Sequence, residues 1–237
     1  MSTNKLKVVV LTGAGISAES GLQTFRDSDG LWNGHNVDDV ATIDGWRKNP
    51  ALVLAFYNDR RETALKAEPN HAHKILAELE KDFDVHIITQ NIDNLHEKAG
   101  STHIYHLHGE ISKCRSEKNI NLKYDYDKPL KLGDVGNDGA QLRPDIVWFG
   151  EAVPMMDKVM KLCEQADVFV VIGSSLQVYP AASLIHYAPP FCHKFVIDKC
   201  IPSNLGVGKI VRIEHSATVG IDVFKTELYR IKDGHVK

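Results

Sequence analysis

"KLKVVVLTGAGISAESG", residues 5–21, decides the fold. Leu6 to Leu11 form a short apolar run rich in valine, which reads as a buried strand. A tight glycine turn follows and leads into a helix. Gly13, Gly15 and Ala18 fall close to the spacing G-x-G-x-x-G/A. A turn of this kind offers backbone N–H groups and a helix N-terminus to a pyrophosphate. An unliganded strand-to-helix turn would carry the same glycines, but the strand before it and the helix after it favour binding.

Similar runs recur along the chain: "DVHIITQN" (84–91), "HIYHLHG" (103–109), "DIVWFGE" (145–151), "DVFVVIGSS" (167–175), "KFVIDK" (194–199) and "KIVRI" (209–213). Several are almost continuously apolar, as parallel strands covered on both faces are. Helical spacing appears in "NPALVLAFYNDRRETALKA" (49–67), "NHAHKILAELEKD" (70–82) and "PMMDKVMKLCEQA" (154–166), each with a cap or proline near its start. This alternation predicts an α/β fold: a Rossmann-like, doubly wound parallel sheet with helices on both faces.

Two segments break the rhythm. Residues 24–48 are polar and aperiodic and read as a loop with short helical turns; residues 112–143 are charged and punctuated by Asp, Asn, Gly and Pro. Irregular stretches of that length inside one domain are usually functional or mobile. The expected organisation is one catalytic domain over 1–237. Its large part takes 1–48, 72–111 and 143–237, and a smaller inserted module takes 49–71 and 112–142.

A hydride-transferring enzyme requires a second strand soon after the glycine turn, with an acidic residue about 20 positions on. Here the next strand comes only near Val85, and Asp27, Asp29, Asp38 and Asp39 lie in the aperiodic segment. The turn therefore points to a dinucleotide but not to a dehydrogenase.

Composition narrows the classes further. The formal charge of −3 gives no general pull toward nucleic acid. The N-terminal apolar run is too short for a signal peptide, and no stretch approaches the roughly 20 apolar residues that span a bilayer. The four cysteines, Cys114, Cys163, Cys192 and Cys200, include no C-x-x-C pair and read as reduced thiols. A cytoplasmic monomer without nucleic-acid or membrane partners is expected.

Ligands of open α/β sheets sit beyond the carboxyl ends of the strands, and this chain places polar side chains there. Gln90, Asn91, Asp93 and His96 follow one run, where Asn91 and Asp93 suit ribose hydroxyls or an amide but equally the cap of the next helix. Gly173, Ser174 and Ser175 follow another. In "HLHGE", His108 precedes a glycine at a third strand end and suits a general base at neutral pH. His106 and His108, i and i+2 on one strand with His103 nearby, raise a metal alternative, but no third ligand stands at a standard spacing.

Taken in order, "GAGISAESGLQTFR", "TQNIDNLHEKAG", "LHGE", "RPDIVWFGE" and "GSSLQVYPAASL" resemble the sirtuins, the NAD-dependent protein lysine deacylases, from about Val8 to Ala217. The resemblance implies NAD as a consumed cosubstrate. Gly13, Ala14, Gly15, Ser17, Ala18 and Glu19 would wrap the pyrophosphate, and Thr24, Phe25 and Arg26 would form a mobile cofactor loop. Gln90, Asn91, Ile92 and Asp93 would hold the nicotinamide ribose and carboxamide, with Asn91 catalytic beside His108 as base. Gly173, Ser174, Ser175, Asp198 and Ala217 would meet the adenosine half. Val147, Phe149, Gly150 and Glu151 would pair with an extended acyl-lysine peptide. The products would be nicotinamide, free lysine and O-acyl-ADP-ribose.

Tyr57 and Arg60 lie one helical turn apart. A core aromatic beside a solvated arginine is the plain reading. The surrounding "NPALVLAFYNDRR" resembles class III, bacterial-type sirtuins, in which such a pair recognises the carboxylate of succinyl- or malonyl-lysine. Acetyl, succinyl and malonyl groups are thus expected substrates. Ser28 departs from the alanine usual in that class, which the resemblance places beside the acyl pocket, and a slightly narrower pocket is the expectation. A larger departure concerns metal. Sirtuins carry two C-x-x-C pairs that hold a structural zinc, whereas here Glu117 stands three residues after Cys114, where the second cysteine would fall, and residues 118–143 contain no cysteine. No structural zinc is expected; Leu122, Tyr124, Tyr126 and Leu130 are candidates to hold the module by packing. The competing functions are a protein ADP-ribosyltransferase or NAD glycohydrolase on the same site, and a non-catalytic NAD or peptide sensor.

Overall fold

Strand β1 (Lys7–Thr12) lies in the middle of a six-stranded parallel sheet, and its alternation explains the layers around it. Val8 and Val10 face one side of the sheet, and Val9 and Leu11 the other; all four are fully buried. Each such side chain contributes about 1.5–3 kcal/mol relative to exposure. The computed structural model describes residues 5–23, 31, 32, 34–206 and 208–234. Thr24, Phe25, Arg26 and Ser28, named above, lie outside the described residues.

After β1 come α1 (Ala14–Ala18), α2 (Val37–Val40), α3 (Ile43–Lys48), α4 (Pro50–Lys66), α5 (His71–Leu79), β2 (Asp84–Thr89), α6 (Leu95–Ala99), β3 (Ile104–His106), β4 (Gly109–Ser116), β5 (Lys123–Asp125) and β6 (Leu142–Ile146). The chain continues through α7 (Met156–Cys163), β7 (Val168–Ile172), a short 3-10 helix (Ala181–His186), β8 (His193–Ile197), β9 (Ile210–Ile213) and α8 (Ala217–Lys232). Caps set several helix starts. The Asn49 side chain accepts from Leu52 N (3.1 Å) with Pro50 in the first turn, and Asn70 accepts from Ala72 N (3.0 Å).

The large sheet runs β3-β2-β1-β7-β8-β9. The strand order reverses between β1 and β7, so the loops after these two strands open side by side at the switch point where such sheets bind ligands. One face packs on α5 and α8 through Leu76, Ile221 and Phe224; the other packs on α7 and the 3-10 helix through Val159 and Leu184. No helix among the described residues is long and apolar enough to cross a membrane.

The expected parallel, doubly wound sheet with helices on both faces is what forms. The run 145–151 departs from it. β6 pairs antiparallel with β4 in a separate three-stranded sheet of order β5-β4-β6. An apolar run reports burial, not the partner strand's direction. Past Ile146 this chain turns, because Trp148 N donates to the Glu151 carboxylate (2.8 Å) and Glu151 N to Trp148 O (3.0 Å). Within 112–143, read as irregular, β4 runs to Ser116 and β5 adds a short strand. The small sheet packs against α4 in a third apolar cluster containing Phe56, Tyr57, Cys114, Leu130, Ile146 and Trp148. Helix α8 is absent from the sequence reading, although Ile221, Phe224 and Leu228 keep helical spacing and are fully buried.

Candidate functional site

The switch point is built from main chain abutting main chain. Gly13 N donates to Ile172 O (3.0 Å) and Gly15 N to Gly173 O (2.8 Å). A Cβ at Gly15 would lie 2.7 Å from Gly173 Cα, and one at Gly173, where φ is +63°, would lie 2.3 Å from Ile16 N. The glycines that suggested a phosphate cradle are thus required first by the contact between the two loops.

The polar strand ends converge on this contact. Asn91 Nδ2 donates to Gly13 O and to Ser17 Oγ, both at 3.1 Å, and Ser17 Oγ donates to Asp93 Oδ2 (3.0 Å). Gln90 Nε2 donates to Ser174 Oγ (2.9 Å), joining the loops after β2 and β7. Burial pushes the Asp93 carboxyl up, against the Leu95 N–H, the Ser17 hydroxyl and the His106 charge, which favour its ionised form. Glu19 accepts from Thr218 N (3.1 Å) and from its hydroxyl (2.8 Å), tying α1 to the start of α8.

His106 and His108 do not share a strand or a target. His106 ends β3; His108 lies in the bend before Gly109, which opens β4 instead of closing a strand. Gly109 has φ +84°, and a Cβ there would sit 1.9 Å from Asp145 O. His108 Nδ1 donates to Gln90 O (2.9 Å), which leaves Nε2 as the nitrogen with the lone pair. Burial lowers its pKa and the Gln90 carbonyl offsets only part of this, so the ring is neutral at pH 7. The neighbouring ring turns to the Asn91 carbonyl and Glu97 instead, so the two histidines do not converge on a metal.

A second wall comes from α4. Tyr57 is fully buried, and its hydroxyl accepts from Trp148 Nε1 (3.0 Å). The Arg60 guanidinium lies 4.3 Å over the Trp32 ring, and its Nε is buried without a hydrogen-bond partner among the described residues. Burial lowers its pKa, while Tyr57 and Asp93 favour its charge. Trp32 and Trp148, which frame this pair, were not singled out from the sequence. Trp32 stands in an aperiodic segment, where only its size could have marked it.

One cavity of about 990 Å³ gathers these walls. Gly13, Ala14, Gly15, Ser17, Ala18, Glu19, Gln90, Asn91, Ile92, Asp93 and His108 line it, with Gly173, Ser174, Ser175, Asp198 and Ala217 on the far side of the glycine contact. Tyr57, Arg60, Val147, Phe149, Gly150 and Glu151 complete it. Every predicted site residue that is described reaches this one space. Glu151 has a second task, accepting from Arg143 (2.8 and 3.0 Å) and Arg115 (3.1 Å) to hold the 147–151 turn.

The cysteines do not fit a zinc site. Cys114 is fully buried in the third apolar cluster, paired with Tyr124 across the sheet, and burial pushes its thiol up to about 11. Cys163 and Cys192 lie in another cluster, and Cys200 is exposed. A thiolate quartet is therefore not assembled among the described residues. Hydrogen bonds close the loop there instead: Tyr126 to Asp134 (2.9 Å), Ser116 to Asp138 (2.6 Å), and Gln141 Nε2 to the carbonyls of Lys131, Asp134 and Leu142. Treatment with a strong chelator is accordingly expected to leave Tm unchanged, with no stoichiometric zinc found by elemental analysis. A chelator-induced drop in Tm would contradict this.

Comparison with known proteins agrees with the geometry. A Helicobacter pylori protein named NAD-dependent protein deacylase is 60% identical over 191 residues, covering 81% of this chain and 83% of its own. One of the same name from Bacteroides thetaiotaomicron is 55% identical over 197 residues, covering 81% and 84%. The solved structure of a Sir2 homologue variant with ADP-ribose superposes with a TM-score of 0.87 at 34% identity, covering 97% of this chain and 94% of that one. Residues 13–180 match the Sir2 family. This chain belongs to the Sir2 family.

Proposed function

We propose that this protein is an NAD-dependent protein lysine deacylase, active in the cytoplasm as a monomer on acetylated, succinylated and malonylated lysines. The observation that carries this reading is His108, neutral, with Nδ1 held by Gln90 O, in the cavity that Asn91 and Asp93 also line. NAD fits that cavity as cosubstrate: Gly13, Ala14 and Gly15 line it, and Asn91, Asp93 and Gln90 are fixed polar groups beside them. When bound, NAD would supply an activated ribose carbon for the acyl oxygen, with nicotinamide as the leaving group.

The chain's own residues then have distinct tasks. Nε2 of His108 takes up a proton from the ribose hydroxyls. Asn91 and Asp93 orient the ribose and carboxamide. Thr24, Phe25 and Arg26 belong to this proposal as the cofactor loop. The N–H groups of Val147, Trp148, Phe149 and Glu151 already donate within the chain, so pairing with the peptide falls to backbone carbonyls and Gly150 N–H. The inserted module, 49–71 and 112–142, carries the Tyr57 and Arg60 wall, with Arg60 facing the acyl carboxylate.

Mass spectrometry of acetyl- and succinyl-peptides incubated with and without NAD tests the reading. NAD-dependent loss of the acyl group with O-acyl-ADP-ribose formed is the expected result. Nicotinamide release without deacylation indicates the glycohydrolase, ADP-ribose on a protein acceptor the transferase, and no turnover a sensor.

A further inference from the structure

His106 performs no step in the chemistry above, yet it touches the backbone of a residue that does. Its Nδ1 lies 3.2 Å from Asn91 O and its Nε2 2.8 Å from Glu97 Oε1. A carbonyl oxygen and a carboxylate are acceptors only, so each ring nitrogen must donate and the ring carries both protons. The ring is largely buried, with its side chain 9% exposed. His106 and His108 therefore hold consecutive carbonyls, Asn91 and Gln90, one as a cation and the other as a neutral base.

We propose that His106 is a positioning residue: an imidazolium clamped by Glu97, it fixes the Asn91 backbone and supplies positive charge beside Asp93, so that NAD binding follows its protonation. The proposal rests on reading this cavity as the NAD site of a deacylase. Asn91 reaches Gly13 and Ser17 through its side chain, and Ser17 reaches Asp93, so a shift at the Asn91 carbonyl is passed to the cradle.

The surrounding charges favour this state. Burial alone would push the His106 pKa down, but the Glu97 bond and charge, with help from Glu110 and the Asn91 carbonyl, raise it overall. Burial pushes Glu97 up, and the His106 bond and charge, aided by Lys113, bring it below its ordinary value. Lys113 also holds Glu110 at 2.7 Å. His96, on the buried face of α6, is pushed well down, first by burial and then by the His73 and His106 charges, so it adds no competing cation. The sign follows: a raised histidine pKa contributes stability below about pH 6.5, and that contribution is lost as pH rises through the folded value.

Three variants separate hydrogen bond from charge. His106→Asn keeps an N–H donor near Asn91 O without the cation, His106→Ala removes both, and Glu97→Gln removes the carboxylate that holds the second proton. Long-range 1H–15N NMR of the wild type is expected to show both His106 nitrogens protonated at pH 7. In Glu97→Gln the titration moves down by about one to three pH units, and the rise of KM for NAD moves with it while kcat at saturating NAD changes less. His106→Ala raises KM for NAD about tenfold, and His106→Asn recovers part of that loss with a flat pH profile. A neutral His106 ring in the wild type at pH 7 would overturn the proposal, as would superimposable NAD pH profiles for wild type and Glu97→Gln. NMR and calorimetric NAD binding need no peptide, so failure of wild-type peptide turnover speaks only against the deacylase reading.

Discussion

Replacing His108 with alanine is expected to lower kcat/KM on any acyl-lysine peptide by about 10²–10⁴-fold, with NAD binding changed little. The Gln90 carbonyl takes the Nδ1 proton at 2.9 Å, which assigns the lone pair to Nε2 and orients it. Burial holds the pKa below the ordinary histidine value, so the base is ready at neutral pH. The sign can be checked separately. Activity should rise with pH through an acidic limb whose midpoint lies below about 6.5, and single-turnover acyl transfer should report it most directly. The Val147 N–H bond goes to the His108 main-chain carbonyl and survives truncation, while the Gln90 carbonyl loses its Nδ1 donor, so Tm is measured alongside. An alanine variant that retains substantial turnover would remove His108 from the chemistry.

Arg60→Met is expected to split the acyl substrates. Desuccinylation should lose about 10- to 100-fold in kcat/KM, from the roughly 1.5–3 kcal/mol of a charge-assisted hydrogen bond. Deacetylation should change far less, since an acetyl group offers no carboxylate. Methionine keeps most of the contact with Trp32, and it removes a cation whose Nε has no partner among the described residues, so the melting temperature should hold or rise. Equal losses on acetyl and succinyl peptides would sink the assignment. Tyr57 is the poorer probe, because its hydroxyl also anchors Trp148 in the core.

The sheet was legible because valine-rich runs ending in Gly or Asn report buried parallel strands directly, and Val8–Leu11 show it most clearly. The site was legible because loops after successive parallel strands must meet at the switch point, which brings Gln90, His108 and Ser174 together from distant sequence. Antiparallel pairing of β6 was not legible, since Leu142–Ile146 is buried throughout and burial carries no direction. Nor was the structural task of Glu151, which the resemblance gives only as a peptide-pairing residue, while Arg115 and Arg143 fold against its carboxylate. The opposite protonation of His106 and His108 depends on which carbonyl and which carboxylate each ring meets, and spacing in sequence does not encode that.

Between Gly15 and Gly173 the obstructing atoms all belong to the main chain itself. A side chain introduced there cannot be accommodated by trimming a neighbour, because no neighbouring side chain stands in the way. The cradle on one strand and the adenosine-side loop on the other must therefore shift together or not at all. In heritable terms the two loops behave as one locus: a lesion in either has no compensating partner elsewhere, although 158 positions separate Gly15 from Gly173 in the chain.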